Sequence, residues 1–318
     1  MSTEDSPEGP GRPPLALIAG PTASGKSDLA VRLAQALEKR GRRGVVINAD
    51  SAQVYADLCI LSARPLDEEM KGVEHSLYGA WDGATACSAA DWAQAAKAEV
   101  AAAHAAGAVP ILVGGTGLYI RTLIEGIAPV PEIDPQIRAE VRSLPVAQAY
   151  AALQVEDPER AARLDAGDAT RVARALEVAR STGRPLAHWQ QQLSGGIGDQ
   201  VALYPAILLP DRAWLYERCD RRFHSMLQRG AIAEVEALLA RALPGDLPVM
   251  RAIGVPEIAD FLRGISSLAD AETRGSQSTR NYVKRQMTWL RNQPSEDWPR
   301  VESEDFNIED IFASLLRD

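Results

Sequence analysis

Along the first 125 residues the apolar positions follow two alternating patterns. Leu15–Ala19 is an unbroken apolar run of strand length. Leu29, Leu33 and Leu37 then recur every fourth residue until Gly41, which predicts an amphipathic helix. Val45–Ala49 predicts a second strand and Ser76–Ala80 another, and Ala89–Ala106 predicts an alanine-rich helix closed by Gly107. Val109–Val113 reads as a buried strand, followed by the turn Gly114-Gly115-Thr116-Gly117 and a helix from Leu118. Strands apolar throughout their length, alternating with helices, predict an α/β fold with a parallel sheet covered on both faces.

Around Gly126 the strand signals stop. Asp134-Pro135 and Asp157-Pro158 each place an N-cap before a first-turn proline, and Asp168 caps a helix ending near Gly183. Residues 126–199 therefore read as an all-helical insertion domain. Ala202–Leu208 restores a strand, and helices follow over 211–227, 231–242 and 268–291. The expected organisation is a discontinuous core, 15–125 and 200–292, with a disordered tail at 1–14 and an acidic C-terminal tail at 293–318.

Composition narrows the class. The 318 residues are 46% hydrophobic and 24% charged, which is ordinary for a globular chain. No apolar run approaches the ~20 residues of a membrane span, and the acidic N-terminus does not resemble a secretory signal, so no membrane contact is expected. Cys59, Cys87 and Cys219 are odd in number and far apart, which argues against a disulfide or zinc scaffold and for a cytoplasmic protein. The formal charge of −9 is concentrated at the ends: residues 293–318 hold eight acids against two arginines, and residues 1–14 three against one. The body is nearly neutral, so the net charge does not exclude a nucleic-acid partner. A monomer is expected.

Gly20-Pro21-Thr22-Ala23-Ser24-Gly25-Lys26-Ser27 matches G-x-x-x-x-G-K-[ST] between a predicted strand and a predicted helix. Its glycines let backbone N–H groups wrap a phosphate at a helix N-terminus, Lys26 adds a point charge, and Ser27 can ligate Mg²⁺. The fold is thus of P-loop NTPase-like type. There is no N-K-x-D guanine-reading motif, so a GTPase is excluded. A kinase acting on a small metabolite with ATP stays open. Asp50, at a strand's C-terminal end, is suited to act as a base, to hold Mg²⁺ through water, or to cap the next turn.

Several segments together closely resemble the bacterial tRNA dimethylallyltransferases over residues 15–292. They are the phosphate loop, Asn48-Ala49-Asp50-Ser51-Ala52-Gln53-Val54-Tyr55, Cys87-Ser88-Ala89-Ala90-Asp91-Trp92, Val113-Gly114-Gly115-Thr116-Gly117-Leu118-Tyr119, Arg174-Ala175-Leu176-Glu177-Val178 and Lys284-Arg285-Gln286-Met287-Thr288-Trp289-Leu290-Arg291. The resemblance implies Mg²⁺-dependent transfer of a dimethylallyl group from its diphosphate to N6 of an adenosine 3′ of the anticodon. It further implies Asp50 as base, Thr116 in the reaction channel, Arg222 on the diphosphate, and residues 20–27 as the donor cradle. By the same resemblance, the anticodon stem-loop of tRNA would meet Asp50, Ser51, Ala52, Gln53, Arg138, Thr170, Arg171, Val172, Ala173, Arg174, Lys284, Arg285, Thr288 and Arg291, with Gln53 placed to read an adenine edge. Two stretches depart from the family pattern. Ala56–Pro65 lacks the family's glycine and carries Arg64 in place of a lysine, and Gly254-Val255-Pro256 lacks an aromatic residue, so RNA contact is expected to differ there. A non-catalytic RNA-binding relative is the third alternative.

Overall fold

The structure, a computed structural model, describes residues 11–317. It divides into two compact units, Ile124–Gly196 and the remainder of the chain. Most of the expected disordered tail, residues 1–10, lies outside the described residues. The rest of that stretch joins the sheet: the Pro13 carbonyl accepts from Ala202 N at 2.9 Å, and Pro14 opens the first strand.

Among the described residues the larger unit contains a six-stranded sheet. Its strands are β1 (Pro14–Ala19), β2 (Gly44–Asn48), β3 (Glu74–Ser76), β4 (Val109–Gly114), β5 (Ala202–Leu208) and β6 (Arg300–Val301), in the order β3-β2-β4-β1-β5-β6. Every pairing is parallel. The strand expected at Ser76–Ala80 is displaced to Glu74–Ser76, because the tyrosine and glycine that follow belong to a turn rather than to the ladder. Strands β1, β2 and β4 are buried almost throughout, which is why they read as continuous apolar runs.

Helix α1 (Lys26–Glu38) lays Leu29, Leu33 and Leu37 on the sheet, and α2 (Ala89–Ala105) covers it with Trp92, Ala96 and Val100. Helix α2 starts at a reciprocal capping box between Ser88 and Asp91. Helix α3 (Gly117–Ile124) follows β4 directly. After β5 come α4 (Arg212–Gln228), α5 (Ala231–Ala240), α6 (Val255–Leu262) and α7 (Leu268–Asn292).

The acidic segment from residue 293 is not a detached tail. It supplies β6 and two short helices, and Phe306, Phe312, Leu315 and Leu316 are buried in the same cluster as Leu29, Leu33 and Ile111. Its acids face outward while these apolar residues face α1, and Arg32 and Arg42 donate to the carbonyls of Phe306 and Leu315. The charge run concealed an apolar repeat.

In the smaller unit, helices Pro135–Ser143, Val146–Glu156 and Ala169–Thr182 pack around Val141, Leu153, Val172, Ala175 and Leu176. Gly126–Ile127 and Ser194–Gly195 pair as a short antiparallel ribbon at its ends. The expected insertion at 126–199 and the observed unit differ by a few residues at each edge, since Ile197 N donates to the Leu123 carbonyl of the larger unit.

Phe306 is 6% exposed, and its ring edge lies 3.2 Å from where a Cβ on Gly25 would stand. Phe306→Ala is expected to cost about 3 kcal/mol in urea unfolding, as large-to-small core changes do. An unchanged midpoint would separate the C-terminal segment from the core.

Candidate active site

Three adjacent strands deliver the functional segments to one edge of the sheet. Strand β1 runs into the phosphate loop, β4 into Gly115-Thr116, and β2 into Ala49-Asp50. This is the carboxyl edge, next to the point where chain order reverses, at which open parallel sheets place ligands.

The phosphate loop turns into α1 through Gly25, whose φ of 93° is left-handed and suits glycine. Ala23 adopts a φ of 62°, and its carbonyl accepts from Arg218 Nε at 2.9 Å. Lys26 Nζ donates to the Pro21 carbonyl at 3.4 Å. Burial holds the Lys26 ammonium below its ordinary pKa, an effect that the nearby Asp50 carboxylate opposes.

Asp50 is 7% exposed, its backbone N–H donates to Asn48 Oδ1, and its Oδ1 accepts from Ala52 N at 3.0 Å. Asn48 is itself fixed by bonds from its side-chain amide to the carbonyls of Asp50 and Leu77. Thr116 Oγ1 accepts from Ser51 N at 2.9 Å and donates to Ser51 Oγ at 3.2 Å, so the Asp50 and Thr116 segments are stitched together. The glycines flanking Thr116 allow close approach: a Cβ on Gly114 would stand 2.1 Å from the Ala49 carbonyl oxygen, and one on Gly117 2.2 Å from the Trp289 ring.

Two cavities meet here. The first, about 620 Å³, is lined by the loop from Thr22 to Ser27 and by Arg64, Arg218, Arg222 and Arg229, with Asp28 and Glu69 at its wall. The second, about 320 Å³, is lined by Ser51, Ala52, Tyr55, Leu58, Leu61, Phe223, Tyr282 and Arg285. Thr22, Asp50, Arg222 and Met226 line both. Of the neighbouring pair Arg221 and Arg222, the first is exposed and the second turns inward, 3.5 Å from Thr22 Oγ1, where burial lowers its pKa. Burial likewise drives the Tyr282 and Tyr119 phenols well above their usual range, so both stay neutral hydrogen-bonding groups.

The structure distributes the remaining expected residues unevenly. Gln53 does not present its amide N–H groups to the second cavity: Nε2 donates to the carbonyls of Ser62 and Ala63 at 3.0 and 2.9 Å. Lys284, Arg285, Thr288 and Arg291 are exposed along α7, while Val283, Met287 and Leu290 are buried. In the smaller unit Thr170, Arg171 and Arg174 are exposed, but Val172 is fully buried in the helical core and cannot offer its side chain to a partner. Arg142 Nε donates to Glu177, which is 1% exposed, at 2.8 Å, and Arg138 and Arg174 flank the same carboxylate at 3.9 Å. The chain in 251–256 opens α6 with Gly254 as N-cap, and Pro256 falls in the first turn, where a missing N–H costs nothing.

Gln286 lies in the Lys284–Arg291 segment, but sequence reading assigned it no role of its own. It is 4% exposed; its Oε1 accepts from Thr22 N at 2.9 Å and its Nε2 donates to the Gly115 carbonyl at 3.0 Å. The signal lay in the helix periodicity: Gln286 falls on the apolar face of Val283, Met287 and Leu290, and a polar residue there needs partners.

This arrangement defines a phosphate-loop α/β protein whose cationic chamber, suited to an anionic group, adjoins a second, more apolar one. The family model for IPP transferase matches residues 53–293. A tRNA dimethylallyltransferase of Erythrobacter litoralis is 64% identical, the match covering 96% of each chain, and one of Novosphingobium aromaticivorans is 68% identical over 87% of this chain and 99% of its own. Among solved structures, the tRNA isopentenylpyrophosphate transferase of Bacillus halodurans is similar with TM-score 0.68 and 32% identity, covering 96% of this chain and 94% of its own. A eukaryotic dimethylallyltransferase acting on tRNA gives TM-score 0.73 at 27% identity, over 87% of this chain and 70% of that one. The chain belongs to the IPP transferase family, the tRNA dimethylallyltransferases, and is a prenyl-transferring enzyme.

Gln286→Leu leaves the Thr22 N–H and the Gly115 carbonyl unpaired, each at ~1–3 kcal/mol. The expected result is lower stability together with weakened diphosphate binding, read by urea unfolding and calorimetry; wild-type values in both would remove the bridge from the account. For Lys26, diphosphate affinity is expected to fall as pH rises, beginning below the ordinary lysine range, because burial lowers its pKa and the charge is shed early. Lys26→Arg should flatten that profile, and a wild-type profile already flat across it would contradict the reading.

Proposed function

We propose that this enzyme transfers a dimethylallyl group from dimethylallyl diphosphate to N6 of the adenosine 3′ of a tRNA anticodon, position 37. The observation that carries the reading is the junction of the two cavities at Thr22, Asp50, Arg222 and Met226. A diphosphate in the cationic chamber leaves its allylic carbon at that junction, and an extruded adenine enters from the other side. The N6–C1 bond forms as the C1–O bond breaks. The amine proton passes to the Asp50 carboxylate and diphosphate departs.

Each group has a physical task. Loop N–H groups, Lys26 and Arg222 oppose the charge that grows on the leaving diphosphate. Asp50, held by the Ala52 N–H and the Asn48 turn, takes the proton of a weakly nucleophilic amine. Thr116 lines neither cavity itself; it fixes the wall of the second one through its bond from Ser51. The oxygen donors at the diphosphate chamber, Ser27 with Asp28 and Glu69 nearby, suit a Mg²⁺ ion shared with substrate phosphates rather than an all-protein cage. Ser27 would hold that ion, which when bound supplies charge neutralisation to the diphosphate. On α7, Lys284, Arg285, Thr288 and Arg291 offer basic and hydroxyl groups for phosphates of the anticodon stem-loop; within the smaller unit, Arg138, Thr170, Arg171 and Arg174 offer the same chemistry.

Incubation with unmodified tRNA, dimethylallyl diphosphate and Mg²⁺, followed by nucleoside mass analysis, tests the proposal. The expected product is N6-dimethylallyladenosine. Asp50→Ala should lower transfer by about two orders of magnitude or more while inorganic diphosphate still binds. Phosphoryl transfer from ATP with indifference to the allylic donor, or tRNA binding without modification, would overturn it.

A further inference from the structure

The segment 58–62 walls both chambers and is held by a residue that lines neither. Leu58, Leu61 and Ser62 line the second cavity, and Cys59 and Ile60 the cationic one. The segment contains no glycine to impose its path. Three consecutive backbone N–H groups instead converge on one carboxylate in the first turn of α5. Cys59 N and Ile60 N donate to Glu234 Oε1 at 2.6 and 2.8 Å, and Leu61 N donates to Oε2 at 2.9 Å. From the opposite side, the Gln53 amide grips the carbonyls of Ser62 and Ala63, and the Ser62 hydroxyl closes back on the Leu58 carbonyl.

We propose that Glu234 is a positioning residue for donor selectivity: it holds the 58–62 wall so that the chamber junction accepts a five-carbon allyl group and rejects longer ones. The inference rests on the reading of the site as a dimethylallyl diphosphate site. Charge-assisted bonds are the strong ones, and three of them to consecutive amides fix the backbone of a segment that would otherwise have freedom to shift outward. An amide cannot replace the carboxylate. In Glu234→Gln one side-chain atom becomes a donor, and it would face either Leu61 N or the paired N–H groups of Cys59 and Ile60. The wall would relax on at least one side, and Leu61 would move with it.

The test compares wild type, Glu234→Gln and Leu61→Ala with tRNA and either dimethylallyl diphosphate or its ten-carbon homologue. Thermal unfolding and tRNA affinity without donor are measured alongside. For Glu234→Gln, kcat/KM with the five-carbon donor is expected to fall about tenfold and the preference over the ten-carbon donor to narrow by a similar factor, with tRNA affinity unchanged. Leu61→Ala, which keeps the carboxylate and its three bonds, should narrow the preference in the same direction and stands as the reading if Glu234→Gln does not fold. A proportional loss with both donors that tracks the folded fraction would reduce Glu234 to a structural residue, and an unchanged preference in Leu61→Ala would remove the wall from donor selection. Either result overturns the proposal while wild-type prenyl transfer stands. Wild-type inactivity with both donors would overturn the underlying site reading as well.

Discussion

A single buried amide couples the parts of this site. Gln286 reaches from the inner face of α7 to accept the Thr22 N–H of the phosphate loop and to donate to the Gly115 carbonyl after β4. A phosphate loop works by aiming backbone N–H groups at an anion, and those groups are useful only if the loop's position relative to the acid and the acceptor wall is fixed. Gln286 joins the loop to the β4 turn, and Thr116 in that turn is hydrogen-bonded to Ser51, one residue after Asp50. The phosphate loop, the β4 turn and the Asp50 segment are thus linked through three hydrogen bonds and one helix. Because the amide is 4% exposed, water cannot substitute for either bond without opening the core.

The same coupling explains how a helix can serve two surfaces. The exposed side of α7 carries Lys284, Thr288 and Arg291, while its buried side carries Gln286 among Val283, Met287 and Leu290. Trp289 sits between the two sides, packed on Gly117, where any side chain would collide with the indole. The exposed basic groups and the loop's anchor thus share one helix.

Much of the sheet was legible because parallel strands buried on both faces must be apolar throughout, and Leu15–Ala19 and Val109–Val113 obey that rule, while Ala202–Leu208 is buried only from Ala206 on. The phosphate loop and Asp50 were legible because strand ends and glycine turns announce themselves locally. What stayed hidden depends on contacts between distant residues. Arg300–Val301 is too short to show a strand period, and the apolar residues of 306–316 are diluted by acids whose outward orientation only the packing reveals. Val172 lies within a motif that reads as a unit, yet its helical phase turns it into the core while Arg171 and Arg174 face out. Glu234 lies more than 170 residues from the amides it binds. A glutamate in a helix's first turn reads as an ordinary dipole partner until the loop above it is placed.

The electrostatics follow from this division between local and distant determinants. Lys26 and Arg222 are both held below their ordinary pKa values by burial, so the chamber carries an unfavourable desolvation of two cations beside one carboxylate. Asp50 relieves part of that cost, since its charge opposes the shift of each cation. An anion placed among these cations offsets more of it. Because the two cavities share Asp50, the carboxylate that offsets the buried cations of the first chamber also stands on the wall of the second.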